Sequence, residues 1–303
     1  MDKRKYNGKV ILFGEYSMIF GSNALLIPYY SVRGEWSYIN EHPCESSIES
    51  NRNLLKYYDY LRENDKFSLL DLRRMEMELK SGLFFDSNIP TGYGVGSSGA
   101  LVAAIYDRFK LVDIEETDKL IEFLAAMENH FHGSSSGIDP LQCYFGKPFI
   151  LNGQRTSDNG QQLLSDDFMS DDIHIFLIDT KITSPTAPLV NIFKERRKDN
   201  DYLERFNNKY VPLVNDCISS LIEKNDDEFF NNLLELSKMQ TEMLGHTIPE
   251  NVKEFFFFNI DKDGFQVKLC GAGGGGFLLG FTKDIDRTKD YWQNTEYQIY
   301  WVK

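Results

Sequence analysis

Apolar residues along this chain fall either into short runs broken by glycine or proline or into helical spacing, and the alternation of the two predicts its elements. Lys9-Val10-Ile11-Leu12-Phe13 is stopped by Gly14, and Ala24-Leu25-Leu26-Ile27 by Pro28, so both read as strands. A third strand is predicted over 33–40 and a helix over about 50–64. The segments 75–79 and 82–85 come next and lead into a glycine-rich segment over 91–99. Leu101, Val102, Ile105 and Phe109 then predict a helix over 100–109, and Leu120, Ile121, Leu124 and Met127 another over 117–130.

The second half opens on an aperiodic polar stretch over 152–170, the expected junction between domains at 1–165 and 166–303. A strand over 173–179 and long helices over 188–224 and 227–245 follow. The end reads strand, glycine loop, strand, over 265–270, 271–276 and 277–281. Strands and helices mix without a regular alternation, which predicts an α+β class.

Composition narrows the functions available. With 42% hydrophobic residues in 303, the chain can bury a substantial core. Its net charge of −13 repels phosphate backbones and anionic lipid, so nucleic acid and membrane partners are not expected. An anionic ligand then needs local donors. The N-terminus lacks the apolar run of a signal peptide, and no stretch approaches a membrane span. Cys44, Cys143, Cys217 and Cys270 are scattered, which argues against zinc and against a disulfide framework and suits the cytoplasm.

Three segments carry candidate chemistry. The first is Thr91-Gly92-Tyr93-Gly94-Val95-Gly96-Ser97-Ser98-Gly99, directly before a helix. Glycines let successive amides turn inward and the helix adds its positive end, so the pair can cradle a polyphosphate; an ordinary loop with Ser97 or Ser98 as helix cap is the alternative. The literal GxGxxG of Gly94, Gly96 and Gly99 lacks the preceding strand of a dinucleotide site. The second segment places Glu128 at a helix end and Asp139 eleven residues on, across Gly133-Ser134-Ser135-Ser136-Gly137. A metal-nucleotide enzyme needs one acid for Mg²⁺ and another for the attacking hydroxyl; a solvated helix end, a turn aspartate and a flexible linker are the plain alternatives. His130 and His132, two apart, do not share a helix face and read as packing or capping residues. The third segment, Lys268-Leu269-Cys270-Gly271-Ala272-Gly273-Gly274-Gly275-Gly276-Phe277, has more glycine than a hairpin tip needs, which suggests a close approach to its backbone.

These segments in this order, together with Gly8-Lys9-Val10-Ile11-Leu12-Phe13-Gly14-Glu15-Tyr16, resemble the GHMP kinases over the whole chain, and most closely the mevalonate kinase branch. The resemblance implies a domain like the second domain of ribosomal protein S5 followed by a ferredoxin-like domain, with ATP and Mg²⁺ as cofactors. It implies that Gly92, Gly94, Val95, Gly96, Ser97, Ser98 and Gly99 hold the triphosphate, with Gly99 where the family has alanine. Ser98 and Glu128 match the metal ligands, Asp139 the catalytic aspartate, and Lys9 the lysine beside it. Glu15, Tyr16, Thr186, Gly273 and Gly274 match the substrate side.

The implied reaction is phosphorylation of a small-molecule alcohol, with the primary hydroxyl of mevalonate as first expectation. Tyr16 stands where that branch has histidine and Ser184 where it often has arginine, so phosphomevalonate or a sugar is the alternative acceptor. A catalytically silent relative would have lost Asp139, Lys9 or Glu128, and all three are present. A homodimer is common among such relatives.

Overall fold

The computed structural model describes residues 4–153, 160–182 and 186–302. In chain order the elements are β1 (Tyr6–Phe13), β2 (Ala24–Tyr38), α1 (Glu45–Arg62), α2 (Leu72–Lys80), β3 (Leu83–Ser87), α3 (Ser97–Phe109), α4 (Thr117–His132), α5 (Ile138–Phe145), β4 (Phe149–Leu151) and β5 (Gln161–Leu163). After β6 (His174–Asp179) come α6 (Thr186–Arg196), α7 (Asn200–Arg205), α8 (Val211–Ile222), α9 (Asp226–Met243), α10 (Ile260–Asp263), β7 (Phe265–Leu269), β8 (Phe277–Thr282), α11 (Ile285–Gln293) and β9 (Gln298–Trp301). The mixture without regular alternation is the α+β class expected from the sequence.

Two compact units form, and neither is a continuous piece of chain. One takes Met1–Lys9, Pro28–Thr91 and Val95–Gly146; the other takes Val10–Ile27, Gly92–Gly94 and Lys147–Lys303.

In the first unit the later part of β2 pairs antiparallel with β3, from Gly34↔Ser87 to Tyr38↔Leu83. Helix α1 buries Leu54, Tyr57, Tyr58 and Leu61, an i, i+3, i+4, i+7 stripe that fixes which face turns inward. The segment over 75–79 is helical because Met75 and Leu79, one turn apart, are its buried pair and Asp71 caps the helix by accepting from the Arg74 N–H. Helix α3 is apolar on every side: Ala100, Val102, Ala103, Ala104 and Ile105 are all fully buried, as befits a central helix. Helix α4 buries Leu120, Ile121, Leu124 and Met127 as its spacing predicts, and Glu128 falls on the same inward stripe.

In the second unit the sheet order is β7-β8-β6-β9, all antiparallel. Ile175, Phe176, Leu177 and Ile178 of β6 are fully buried, so this strand reads as a continuous apolar run. The Phe13 ring lies 6.1 Å from Phe229 and 5.9 Å from Phe281, and burial of each such ring contributes roughly 2–3 kcal/mol.

Two expectations change. The strands predicted on either side of Pro28 are one strand, β2; along the edge that meets β4 at Ala24–Leu26 and β3 at Gly34–Tyr38, Pro28 falls outside both registers, so its missing N–H forfeits no bond there. The helical stretch over 188–224 breaks into α6, α7, a π-turn over Phe206–Tyr210 and α8. Asp199 accepts from the N–H groups of Asp201 and Tyr202 and starts a new helix, and Pro212 sits in the first turn of α8.

Candidate active site

In the first unit, Lys9 leaves β1 with its backbone N–H donating to the Val95 carbonyl at 2.9 Å. Its stem is buried, and its ammonium Nζ lies 2.9 Å from Asp139 Oδ1. The Asp139 side chain is 38% exposed, so a buried cation backs a carboxylate that faces outward. Gly96 makes room for that stem: a Cβ there would lie 2.8 Å from Lys9 Cγ, and its φ of +83° disfavours any side chain.

Asp139 sits in the first turn of α5, whose placement depends on two more glycines. A Cβ on Gly99 would lie 2.9 Å from the Asp139 carbonyl carbon, and one on Gly137 would lie 2.2 Å from the Ile121 carbonyl oxygen. Helices α3 and α4 therefore approach α5 at backbone distance, which fixes the Asp139 carboxylate relative to α3.

Glu128 is almost fully buried. The Ser98 hydroxyl donates to its Oε1 at 2.8 Å and the Ser135 hydroxyl donates to its Oε2. Burial, and then the negative charge of Asp139, push its carboxyl up to about 7 against the partial relief of those hydroxyls. Near neutral pH this group is thus poised to lose its proton to a cation that enters beside it.

His132 also reaches this cluster, with Nε2 2.9 Å from Ser98 Oγ, whereas the His130 ring packs at a tilt against Tyr57 and Tyr60. His130 is the packing residue the sequence suggests, but His132 is not. The informative spacing is that of Glu128 and His132, which are one turn apart and share a helix face. In sequence Ser135 is one member of a small-residue loop, and its contact with Glu128 has no signature there.

The glycine segment ends as an anion cradle should. Side chains on Gly92 and Gly94 would meet nothing within 4 Å, and both glycines have positive φ. Among the described residues, the backbone N–H groups of Ser97, Ser98 and Gly99 in the first turn of α3 meet no protein acceptor. Within the first unit, the open N–H groups of the α3 N-terminus and the hard-oxygen pair of Ser98 hydroxyl and Glu128 carboxylate fit a phosphate group and Mg²⁺.

In the second unit, Gly276 lies against the first glycine segment: a Cβ on it would sit 3.2 Å from Tyr93 Cα. The Phe277 and Tyr93 rings are 5.0 Å apart. A Cβ on Gly273 would lie 2.4 Å from the Thr247 carbonyl oxygen, to which the Gly274 N–H donates. Glu15 is buried and paired with Lys268, and the Tyr16 hydroxyl donates to the Ala272 carbonyl at 2.7 Å. Thr186 opens α6, while its side chain, and Ser184 with it, lie outside the described residues. The structure thus gathers Lys9, Gly96, Ser98, Gly99, Glu128 and Asp139 in one unit and Glu15, Tyr16, Gly273 and Gly274 in the other.

A fold with these motifs and this pairing of lysine, aspartate, serine and glutamate defines a class, and residues 54–147 match the family described as GHMP kinases N terminal domain. That match spans 54–147 of the 303 residues, and over that stretch the chain is similar to the GHMP kinases. Over 288 residues it is 23% identical to the mevalonate kinase of Archaeoglobus fulgidus, spanning 91% of this chain and 90% of that one. Its fold is similar to that of L. major mevalonate kinase in complex with R-mevalonate, with a TM-score of 0.69 at 17% identity, covering 100% of this chain and 96% of the other. It is also similar to Streptococcus pneumoniae phosphomevalonate kinase in complex with phosphomevalonate and AMPPNP, with a TM-score of 0.63 at 16% identity and 100% of both chains covered.

Proposed function

We propose that the protein transfers the γ-phosphoryl group of ATP to the primary hydroxyl of mevalonate, a step in isoprenoid precursor synthesis. The observation that carries this reading is the Lys9–Asp139 ion pair in the same unit as the Ser98–Glu128 pair. Phosphoryl transfer through a loose transition state needs orientation and charge neutralisation more than covalent chemistry, and this set supplies both. Bound Mg²⁺ neutralises charge on the phosphate oxygens, and Ser98 and Glu128 are the residues that would hold it.

Asp139 orients the acceptor hydroxyl and accepts its proton late in the transfer. Lys9 holds the Asp139 carboxylate in place through their ion pair and offers positive charge to the substrate oxygen. Gly92, Gly94, Val95, Gly96, Ser97, Ser98 and Gly99 bind the triphosphate through backbone donors, which offset locally the negative charge of the whole chain. Thr186, Gly273 and Gly274 serve the acceptor side. A division into an ATP-binding domain over 1–165 and a C-terminal domain over 166–303, residence in the cytoplasm and assembly as a homodimer belong to the same reading. Among the described residues, no helix is long and apolar enough to cross a membrane.

A phosphorylated acceptor is the second reading, favoured by Tyr16 in place of histidine and by the likeness to a phosphomevalonate kinase. A coupled ADP-release assay with Mg-ATP and a panel of mevalonate, phosphomevalonate and sugars separates them. Turnover with mevalonate is the expected outcome. Turnover only with another acceptor replaces the substrate, and silence throughout overturns catalysis.

A further inference from the structure

We propose that Glu15 and Tyr16 do not contact the acceptor but act as positioning residues that set the shape of the glycine loop at 271–276. The inference rests on the reading above only in assigning that loop to the reaction.

Both side chains are committed to the loop. Glu15 Oε1 is 2.5 Å from Lys268 Nζ, with side-chain exposures of 3% and 0%, so neither charge is available to a ligand from solvent. Lys268 is one residue short of the end of β7, where the loop departs. Its ammonium also donates to the Leu269 carbonyl at 2.6 Å and lies 5.2 Å from the Phe13 ring centre. The next amide, Leu269 N–H, donates to Gln240 Oε1 at 2.9 Å, and Gln240 in turn donates to the Tyr210 hydroxyl. The last residues before the glycines are therefore tied down by buried polar groups on three sides.

Tyr16 holds the next point. Its hydroxyl donates to the Ala272 carbonyl, inside the loop, while its ring packs on Phe193 with centroids 4.6 Å apart. Tyr16 has a φ of +58°, one of three non-glycine residues with positive φ among those described. A bulky residue in that region is held there only when its surroundings demand it. Further along, the Gly274 N–H donates to the Thr247 carbonyl and the Gly276 N–H to the Ile182 carbonyl at 2.6 Å. Five glycines in six residues have no side chains with which to hold a conformation. The conformation is imposed from outside, by Lys268 at its start, Tyr16 at Ala272, Thr247 in the middle and Ile182 at the end.

The test separates positioning from substrate contact without depending on the acceptor's identity. In the full chain, Tyr16→Phe removes one hydroxyl and keeps the ring. Hydrogen exchange in the free protein should show the Gly274 and Gly276 amides exchanging about tenfold faster, with protection elsewhere unchanged. With whichever acceptor the wild type turns over, kcat should fall at least tenfold while the acceptor KM stays within twofold. A raised acceptor KM with unchanged kcat and unchanged exchange would overturn the proposal and make Tyr16 an acceptor contact.

Glu15→Gln alone strands a buried ammonium and threatens the fold, so it is paired with Lys268→Met. The double variant should recover kcat relative to Glu15→Gln, because the loop's entry is again packed. No recovery in a folded double variant would count against a positioning role. Absence of mevalonate turnover in the wild type would remove the substrate reading and leave the exchange result standing.

Discussion

At the scale of single residues, the roles of Asp139 and Glu128 separate cleanly because their surroundings differ. Asp139→Asn keeps the side chain's shape but removes the charge beside Lys9. In steady-state and nucleotide-binding measurements it should lower kcat by about 10³-fold while nucleotide affinity stays within about twofold. Comparable activity in the variant would end the proposed role. For Glu128, a carboxyl pushed up to about 7 binds its proton more tightly folded than unfolded. Its contribution to stability is therefore whole below about pH 4 and is lost as pH rises toward 7, by at most about 3 kcal/mol. In the metal-free protein, wild type minus Glu128→Gln should show this fall in chemical unfolding between pH 5 and pH 8, and added Mg²⁺ should reduce it. An identical pH dependence in the two proteins would contradict the shift. The residues themselves were legible in sequence: each acid stood out beside a small-residue loop. Their environments were not, because the burial of Glu128 depends on an inward stripe of α4 closing over α3, and sequence gives only the stripe.

At the scale of elements, the geometry of the acid pair rests on helix packing more than on loop chemistry. Gly99 lets α3 lie against the first turn of α5. Gly99→Ala should destabilise the protein by about 1–3 kcal/mol in thermal or denaturant unfolding, since backbone rather than a mobile side chain must move. It should also lower kcat, because the atoms displaced belong to Asp139. An unchanged melting temperature and rate would show that α5 accommodates a methyl group there. Periodicity found α3, α4 and both flanks of the second glycine loop to within a few residues. It failed over 188–224 because a stretch of apolar and charged residues stays helical in pattern across two helix starts; only the caps at Asp199 and Pro212 mark the breaks. It failed at Pro28 because proline interrupts a strand only where its N–H is needed.

At the scale of the whole molecule, a net charge of −13 opposes an incoming nucleotide, and the donors that favour it act only at short range. The nucleotide association rate should therefore rise two- to fivefold as ionic strength goes from about 10 mM to about 150 mM, because the Debye length shrinks from roughly 30 Å to 8 Å. Stopped-flow fluorescence would read it, and a rate that falls with salt would mean that a local positive field dominates. The two discontinuous units were beyond the reach of sequence, since a polar stretch over 152–170 is visible as a break whereas the return of Val10–Ile27 to the later unit leaves no compositional mark.

That return also sets an order of events. The first unit has all its segments once Gly146 has been synthesised, so its nonlocal contacts can form while the chain is still growing. Glu15 must wait 253 residues for Lys268, a closure worth about 5 kcal/mol of chain entropy, and a carboxylate that is buried at the end of folding spends most of synthesis in water. The loop shaped by Glu15 and Tyr16 is thus among the last features of the molecule to exist. The open backbone at the start of α3 in the first unit can be in place before anything can hold 271–276, so under the proposed function capacity to bind nucleotide precedes capacity to react.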